Sequence, residues 1–201
     1  MRPLEEARSE VLRSTEALES EAVSIWEASG RVLATDVTAT ESVPPFHNSA
    51  MDGYAVLGAD VARPGAVLDV LGDLAAGFVA ESRVGPGQAL KIMTGAPMPE
   101  GADTIVKVED TDGGTDRVTV VPAVDTGTSV RAAGGDVALG SLVFEAGTRL
   151  SPMHVGVLAT IGVAAPVVYR RPRVAYMSTG DELVPPGSGP LAPGMIRDSN
   201  R

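Results

Sequence analysis

Hydrophobic and polar positions follow two different periods along the chain. Apolar residues recur at helical spacing over residues 3–19 and again from Ser151 to Gly162, so both segments are predicted to be helices. The first is amphipathic, whereas the second has little polar face and should be buried or lie at an interface. Between them, four short apolar runs separated by turn residues predict four strands. Asp112-Gly113-Gly114 predicts that the last two of these strands form a hairpin. These strands are predicted at 67–71, 89–93, 104–108 and 118–121.

A different pattern begins near residue 170. The arginine-rich segment 170–173 marks a boundary through its charge and its proline, and the apolar run 174–177 follows directly. A short continuous apolar run is typical of a parallel strand that is covered on both faces. The polar segment 178–182 would then lie at the carboxyl end of this strand, where open α/β sheets bind their ligands.

Composition narrows the classes of protein that fit. Of the 201 residues, 44% are hydrophobic, and 23 glycines and 15 prolines favour many short strands and turns. The single tryptophan, Trp26, is interpreted as a core anchor. A net charge of −10, with only 16 basic residues spread along the chain, argues against nucleic acid as a partner. The absence of cysteine excludes disulfides, thiolate nucleophiles and cysteine-based metal sites.

The sequence also bears on the cellular compartment. The first residues turn acidic at Glu5-Glu6 without the apolar core of a signal peptide. The longest weakly polar run, 155–168, contains glycine and proline and is too short to span a bilayer. We therefore expect a soluble cytoplasmic protein that does not interact with a membrane.

Candidate chemistry is concentrated in the segment 44–56, which combines two prolines, a carboxylate and hydroxyl groups. On these residues alone, Asp52-Gly53 is most simply a structural turn. Because there is no cysteine and there are only two histidines, a metal in such loops would be a hard cation such as Mg²⁺. The other candidate carboxylates are Glu109, Asp136, Asp181 and Glu182. On these residues alone, Asp136 and Asp181 could instead cap helices or turns, Glu109 could be a solvated strand end, and Glu182 could be a surface residue.

Three separated segments of the sequence resemble one protein family. They are SAMDGYAV at 49–56, IMTGAPMPEGAD at 92–103, which Val106 and Glu109 follow, and STGDEL at 178–183. These segments are similar, in composition and in order, to the signatures of the molybdopterin molybdenumtransferase family, which comprises the MoeA proteins and the E domain of gephyrin. The resemblance extends over the whole chain, but members of the family are much longer. We therefore expect an N-terminal fragment that is inactive by itself.

The resemblance implies a mixed α and β fold in an elongated, multidomain chain. Residues 1–45 would supply the N-terminal helix and an extended part of a dimer-forming domain, to which residues 136–170 return. Residues 46–135 would form a small β-rich domain. Residues 171–201 would begin a truncated α/β domain that resembles a molybdopterin-binding fold, with 174–177 as its first strand.

The resemblance also implies a reaction and its participants. The family inserts molybdate into adenylylated molybdopterin with release of AMP and depends on Mg²⁺; a homodimer is expected, and a molybdopterin adenylyltransferase is a candidate partner. Among the residues that match by motif, Asp52 and Glu182 would hold Mg²⁺. The catalytic candidates are Asp52, Thr94, Asp136 and Glu182. The substrate-binding candidates are Ser49, Gly95, Arg131, Ser178, Thr179, Gly180 and Asp181.

One departure from the family pattern concerns charge. Where the family has an arginine-rich stretch that ends in Gly-Glu-Asp, this chain reads RAAGGD at 131–136. Arg131 is the remaining candidate in this stretch for binding an anion. The lower positive charge predicts weaker anion binding here.

Two other classes of function stay open. A protein of this family could be a non-catalytic dimerisation or scaffold module, since the E domain of gephyrin also serves in assembly. A small β domain that binds a carbohydrate or a peptide is a third interpretation, based on the strand pattern alone. Dimerisation without binding of a cation or an anion would favour the scaffold.

Overall fold

The computed structural model describes residues 3–199, which divide into two compact units. The larger unit is Ser20–Tyr169, and the smaller one combines the segment up to Glu19 with the segment from Arg170 onward. In chain order the helices and strands are α1 (Leu4–Arg13), β1 (Ser20–Ala22), β2 (Val37–Thr38), β3 (Asn48–Ser49), β4 (Gly53–Val56), β5 (Ala66–Leu74), β6 (Gln88–Ile92), β7 (Thr104–Lys107), β8 (Arg117–Val120), β9 (Val130–Arg131), β10 (Leu142–Phe144), α2 (Pro152–Thr160), β11 (Val167–Tyr169), β12 (Leu183–Val184) and β13 (Ile196–Arg197). Single turns of 3-10 helix lie at Ile25–Glu27, Gly58–Asp60 and Val108–Asp110.

A five-stranded sheet dominates the larger unit, with the strand order β7-β4-β6-β5-β8. Neighbouring strands are antiparallel except β5 and β6, which are parallel. The four strands predicted between residues 67 and 121 are present as β5 to β8. The predicted pairing of β7 with β8 is wrong, because the two strands lie at opposite edges of the sheet. A short hairpin does close around Asp112-Gly113-Gly114, where Thr111 pairs antiparallel with Val120. The carboxylate of Asp112 accepts hydrogen bonds from the amides of Gly114 and Thr119, at 3.1 and 3.0 Å, and so shapes this turn.

Each face of the sheet carries its own apolar core, as alternating side chains on a strand require. Tyr54 lies in one core and Ala55 in the other. The strands β4 and β7 come unusually close at Gly53, where an added Cβ atom would lie 2.0 Å from the carbonyl oxygen of Val106. Only glycine fits there, so Gly53 fixes where the preceding residue, Asp52, leaves the sheet.

A third core lies around α2 in the same unit. The Ser151 hydroxyl accepts a hydrogen bond from the amide of His154, and Nδ1 of His154 accepts one from the amide of Ser151 at 3.1 Å. This reciprocal cap, followed by Pro152, confirms the predicted start of the helix. Within α2, the side chain of Leu158 is fully buried, whereas that of Met153 is 84% exposed. The helix therefore has one apolar side in the core and another in solvent.

The prediction that Trp26 anchors the core is wrong. The residue lies in the 3-10 turn that packs against α2, but its side chain is 83% exposed. The neighbouring Ile25 is buried in its place. The exposed indole lies on the turn that packs against α2, and α2 carries the exposed Met153, so both elements present an apolar side chain to solvent.

The smaller unit contains α1 and the parallel pair β12 and β13. The helix α1 ends at Arg13, not at residue 19 as predicted. The hydroxyls of Ser14 and Thr15 donate to the carbonyl oxygen of Val11, at 2.9 and 2.8 Å, and such bonds compete with the helical backbone. None of the side chains of α1 is buried.

The predicted first strand of an α/β domain, at 174–177, is not formed. Within residues 3–199 this run pairs with no other strand, and Val174, Tyr176 and Met177 are exposed. An apolar run becomes a strand only when a neighbouring strand accepts and donates its backbone hydrogen bonds.

The two units also group the predicted segments in their own way. The helix α1 falls in the same unit as the residues from Arg170 onward, while residues 20–45 share a unit with the sheet. The domain boundaries given by the resemblance stay predictions. None of the helices within residues 3–199 is long and apolar enough to cross a membrane.

Candidate functional site

The segments that carry the first two motifs meet at one end of the five-stranded sheet. Asp52 precedes β4, and Thr94 follows β6. Because Gly53 pairs with Ile92 in these antiparallel strands, the beginning of one lies beside the end of the other. The fold therefore brings together two residues that are far apart in the sequence and that were both predicted to be catalytic.

Asp52 is held by both donors of Thr94. Its Oδ1 atom accepts a hydrogen bond from the Thr94 amide at 2.7 Å and another from the Thr94 hydroxyl at 2.8 Å. These bonds favour the charged form and hold the pKa of Asp52 below its ordinary value of 3.8, with the main-chain donor contributing most. The Oδ2 atom makes no hydrogen bond to any residue within 3–199, and the side chain is exposed. The site thus offers an ionised carboxylate with one fixed oxygen and one open oxygen.

Ser49 and Gly95 shape the backbone beneath this pair. The Gly95 amide donates to the carbonyl oxygen of Ser49 at 2.9 Å, and the Ser49 amide donates to that of Ala96 at 3.0 Å. Gly95 has a φ of +83°, which glycine adopts without strain. The buried Ser49 hydroxyl donates to the carbonyl oxygen of Met51 at 2.6 Å. The hydroxyl could donate to a substrate only by giving up this hydrogen bond, so its visible role is to support the loop.

A third segment joins the other two through β9. Arg131 is paired with Asn48 across the antiparallel strands β3 and β9. An ion pair of 2.5 Å links Nη2 of Arg131 to Oδ2 of Asp136, and both side chains are about half exposed. The sequence predicted an anion-binding role for Arg131 and a catalytic one for Asp136. In the structure the two charges neutralise each other.

Asn48 is a residue at this site that the motif analysis did not select. It is buried, and its Oδ1 atom has no hydrogen-bond partner among residues 3–199. The adjoining residue on one side is Pro97, which has no N–H to donate. The only sign of Asn48 in the sequence is its polar amide between two segments that are buried. The burial of Asn48 itself depends on the pairing of β3 with β9.

The remaining predicted site residues lie in the smaller unit, in the segment 178–182. The Ser178 hydroxyl donates to Oδ1 of the buried Asp198 at 2.9 Å. The Leu183 amide donates to the carbonyl oxygen of Gly180 at 3.1 Å, which closes a turn before β12. The side chains in solvent are those of Thr179, Asp181 and Glu182. The sequence predicted that these residues lie at the carboxyl end of a strand, but they lie on a turn.

Metal binding can be assessed from the acidic side chains. Within residues 3–199, no three or more His, Asp or Glu side chains are grouped to hold a metal ion. Asp52 and Glu182, the predicted ligands, belong to different compact units. Mg²⁺ is commonly bound through one or two carboxylates, with water and substrate phosphates completing its shell. The open oxygen of Asp52 fits a ligand of that kind.

Comparison with known families shows which family the chain belongs to. Residues 2–162 match the family model described as the MoeA N-terminal region (domain I and II). The chain belongs to the MoeA family. The resemblance that rested on three motifs is therefore confirmed.

Curated relatives of this MoeA chain bear one enzyme name. Molybdopterin molybdenumtransferase 2 of Mycobacterium tuberculosis strain H37Rv is 41% identical over 204 residues, which cover 100% of this chain and 50% of that protein. The molybdopterin molybdenumtransferase of Nostoc sp. PCC 7120 is 42% identical over 187 residues, covering 91% and 43%. That of Bacillus subtilis strain 168 is 39% identical over 206 residues, covering 98% and 48%. The chain thus spans about half the length of the curated relatives it matches.

Solved structures agree with this kinship. A molybdopterin biosynthesis MoeA protein from Pyrococcus horikoshii OT3 superposes with a TM-score of 0.89 at 32% identity, covering 100% of this chain and 54% of that one. A second structure of MoeA from Pyrococcus horikoshii gives a TM-score of 0.80 at 35% identity, covering 100% and 52%. The mixed α and β fold, mostly β, is thus that of the N-terminal part of MoeA proteins.

Proposed function

We propose that this chain is the N-terminal half of a molybdopterin molybdenumtransferase, an enzyme of molybdenum cofactor biosynthesis. The observation that carries the proposal is the contact between Asp52 and Thr94. Two separate family motifs supply these residues, and their hydrogen bonds leave an ionised carboxylate with one open oxygen at the end of a sheet. Curated relatives that are 39–42% identical to this chain over 91–100% of its length carry that enzyme's name.

The whole protein would insert molybdate into adenylylated molybdopterin and release AMP. Mg²⁺, when bound, would screen the negative charges of the substrates and polarise the bond that breaks. Asp52 would offer its open oxygen to the cation, and Thr94 would keep that carboxylate ionised and oriented. Glu182 is the proposed second carboxylate, and Asp136, oriented by Arg131, is the proposed further catalytic group.

The proposal extends to the surroundings of the enzyme. The substrate-binding residues would be Ser49, Gly95, Arg131 and the segment 178–182, with Ser49 and Gly95 acting through the backbone they shape. The enzyme would be a homodimer in the cytoplasm, and a molybdopterin adenylyltransferase would hand over the adenylylated substrate.

Two charge-removing substitutions in the full-length protein test this function. Asp52→Asn and Glu182→Gln should each lower molybdate insertion by orders of magnitude across a titration of Mg²⁺, because loss of a metal-holding carboxylate removes several kcal/mol of transition-state stabilisation, about a thousandfold in rate. The melting temperature of Glu182→Gln should stay nearly unchanged, and that of Asp52→Asn should fall only slightly at pH 7, because its carboxylate is exposed. Asp112→Asn is the matched control, since Asp112 also has a pKa lowered by backbone donors but its carboxylate bonds within its own loop, to Thr119 and Gly114. Full activity in the first two variants would refute the catalytic assignment.

One observation favours the scaffold as a second candidate. Trp26 and Met153 are exposed apolar residues of the larger unit, on a 3-10 turn and on a helix that pack against each other. A dimer of this chain that binds no cation and no oxyanion, together with a full-length protein that does not insert molybdate, would favour an assembly role.

A further inference from the structure

The basic residues in and around the five-stranded sheet are mostly neutralised by acidic partners. Between residues 46 and 135 there are six basic side chains, and four of them take part in ion pairs. These pairs are Arg83–Glu100, Lys91–Asp73, Arg117–Asp69 and Arg131–Asp136. The two side chains that form no ion pair with any residue of 3–199 are Arg63 and Lys107.

These two residues lie at opposite ends of the sheet. Arg63 comes shortly before the first residue of β5, whereas the last residues of β5 and β6 lie at the end that carries Thr94. Lys107 is the last residue of β7, and its partner across the strands is Gly53. Of the two cations without an ion pair, Lys107 alone is therefore at the end of the sheet where Asp52 lies.

The backbone of Lys107 is directly adjacent to that of Asp52. A Cβ atom added at Gly53 would lie 3.0 Å from the Cα atom of Lys107. On the other side, the amide of Val108 donates to the carbonyl oxygen of Asp52 at 3.1 Å. The Lys107 side chain is half-buried, so its stem is supported while its ammonium group has access to solvent.

At this end of the sheet, Lys107 is the basic side chain that is available to bind an anion. The Asp52 carboxylate, with one oxygen held by Thr94 and one open, would repel a dianion such as molybdate. Arg131, the cation predicted to receive the anion, is already paired with Asp136 at 2.5 Å. Between residues 46 and 135, Lys107 is the basic side chain at this end of the sheet that no acidic residue neutralises.

We propose that Lys107 binds the tetrahedral oxyanion of the substrate beside Asp52 and Thr94. A lysine ammonium is a compact charge with three donors on a flexible stem, which suits a tetrahedral anion that presents oxygens in several directions. The nature of the anion, molybdate or the phosphate of an adenylylated pterin, rests on the proposed function. The ammonium group of Lys107 offsets the charge of the Asp52 carboxylate, so an incoming oxyanion meets a site that has no net negative charge from these two residues.

A lysine-specific measurement tests this assignment on the chain itself. Lys91 and Lys107 are the only lysines in the sequence, so labelling lysine with ¹³C at the ε carbon gives two side-chain signals. Titration with sodium molybdate at constant ionic strength should shift the Lys107 signal to saturation and leave that of Lys91 in place. AMP and inorganic phosphate, titrated separately and in competition, distinguish a molybdate site from a phosphate site.

Substitutions supply the matched comparison. Lys107→Met keeps the length of the side chain without its charge and should weaken molybdate binding about tenfold or more. Lys107→Arg should retain most of the affinity, and Lys91→Met should bind as the unsubstituted chain does. The inference is overturned if the unsubstituted chain binds none of these oxyanions, if binding leaves the Lys107 signal unmoved, or if Lys107→Met binds molybdate normally.

The result can be separated from the fate of the proposed function. If anion binding depends on Lys107 but the full-length protein inserts no molybdate, the proposed enzyme function is refuted and the anion site at Lys107 is supported. Insertion by the full-length protein that is unaffected by Lys107→Met would keep the enzyme and overturn the site.

Discussion

Thr94 donates both of its hydrogen bonds to one oxygen of Asp52, although the two residues are 42 positions apart in the chain. The contact joins the loop after β3 to the turn after β6. It also ties the ionisation of Asp52 to the folded state, because the donors exist as a pair only when β4 and β6 are aligned. This relationship can be measured without substrate.

We expect Asp52→Asn to change the dependence of stability on pH. The pKa of Asp52 is lower in the folded chain than its ordinary value of 3.8, because Thr94 donates two hydrogen bonds to the carboxylate. A lowered folded-state pKa gives a contribution to stability that is present above pH 3.8 and is lost as the pH falls through the folded value. The melting temperature of Asp52→Asn should therefore lie below that of the unsubstituted chain at pH 7, and the gap should close in acid.

Two other aspartates provide a parallel case and a control for this measurement. Asp112→Asn should behave in the same way, since the amides of Thr119 and Gly114 lower the pKa of Asp112. Asp116→Asn is the control, because the Asp116 carboxylate makes no hydrogen bond to any residue of 3–199. A gap between Asp52→Asn and the unsubstituted chain that is the same at pH 7 and at pH 3 would contradict the linkage.

Two glycine substitutions should have opposite effects on the free energy of unfolding. Gly53→Ala would place a Cβ atom 2.0 Å from the carbonyl oxygen of Val106, so β4 and β7 must separate; we expect a loss of more than about 2 kcal/mol. Gly156→Ala would meet no atom within 4 Å in the interior of α2 and should gain about 0.5–1 kcal/mol. Urea denaturation of the chain measures both. Equal effects of the two substitutions would show that the close approach at Gly53 is not present in solution.

The ion pair between Arg131 and Asp136 should contribute little to stability. Its side chains are 48% and 54% exposed, and pairs of this kind typically contribute about 0.2–1 kcal/mol. A double-mutant cycle with Arg131→Gln and Asp136→Asn should give a coupling energy in that range, and it should shrink as salt is added. In full-length protein, Asp136→Asn should lower insertion activity far more than stability. A coupling energy above about 3 kcal/mol, insensitive to salt, would mean that the pair is a structural element.

Local pattern predicted the elements whose signals are contained within them. The helix α2 has its cap at Ser151 and its apolar positions in one short segment, so both its existence and its start follow from the sequence. The strands β5 to β8 were also found, since alternation and turn residues mark each one separately. Asp52 and Thr94 were assigned to one site by their motifs, and the structure brings them into contact; their roles in catalysis stay predictions.

Features that depend on distant partners could not be predicted in this way. The sequence places β7 and β8 consecutively, but β4 and β5 supply their partners, and no local signal distinguishes this from a hairpin. The run at 174–177 is apolar enough for a strand, yet it lacks a neighbour among the residues described. Asn48 is buried only because β3 pairs with β9. The charge of Arg131 could be read from the sequence, whereas its neutralisation by Asp136 required the fold.

The exposed Trp26 leads to the last prediction, which concerns assembly. A tryptophan that is 83% exposed, on a turn that packs against the helix with a methionine that is 84% exposed, is typical of an interface, where a few large residues contribute most of the binding free energy. We expect the chain to form a homodimer through this surface. Trp26→Ser should weaken the dimer by about tenfold or more, as judged by light scattering over a range of concentrations. The free energy of unfolding of the monomer should change by less than about 0.5 kcal/mol, because the indole is outside the core. Phe78→Ser, at an aromatic residue that is 68% exposed in the loop between β5 and β6, is the matched control and should leave the dimer intact. A chain that is monomeric at concentrations on the order of tens of micromolar, or a dimer indifferent to Trp26→Ser, would show that this surface serves some other contact.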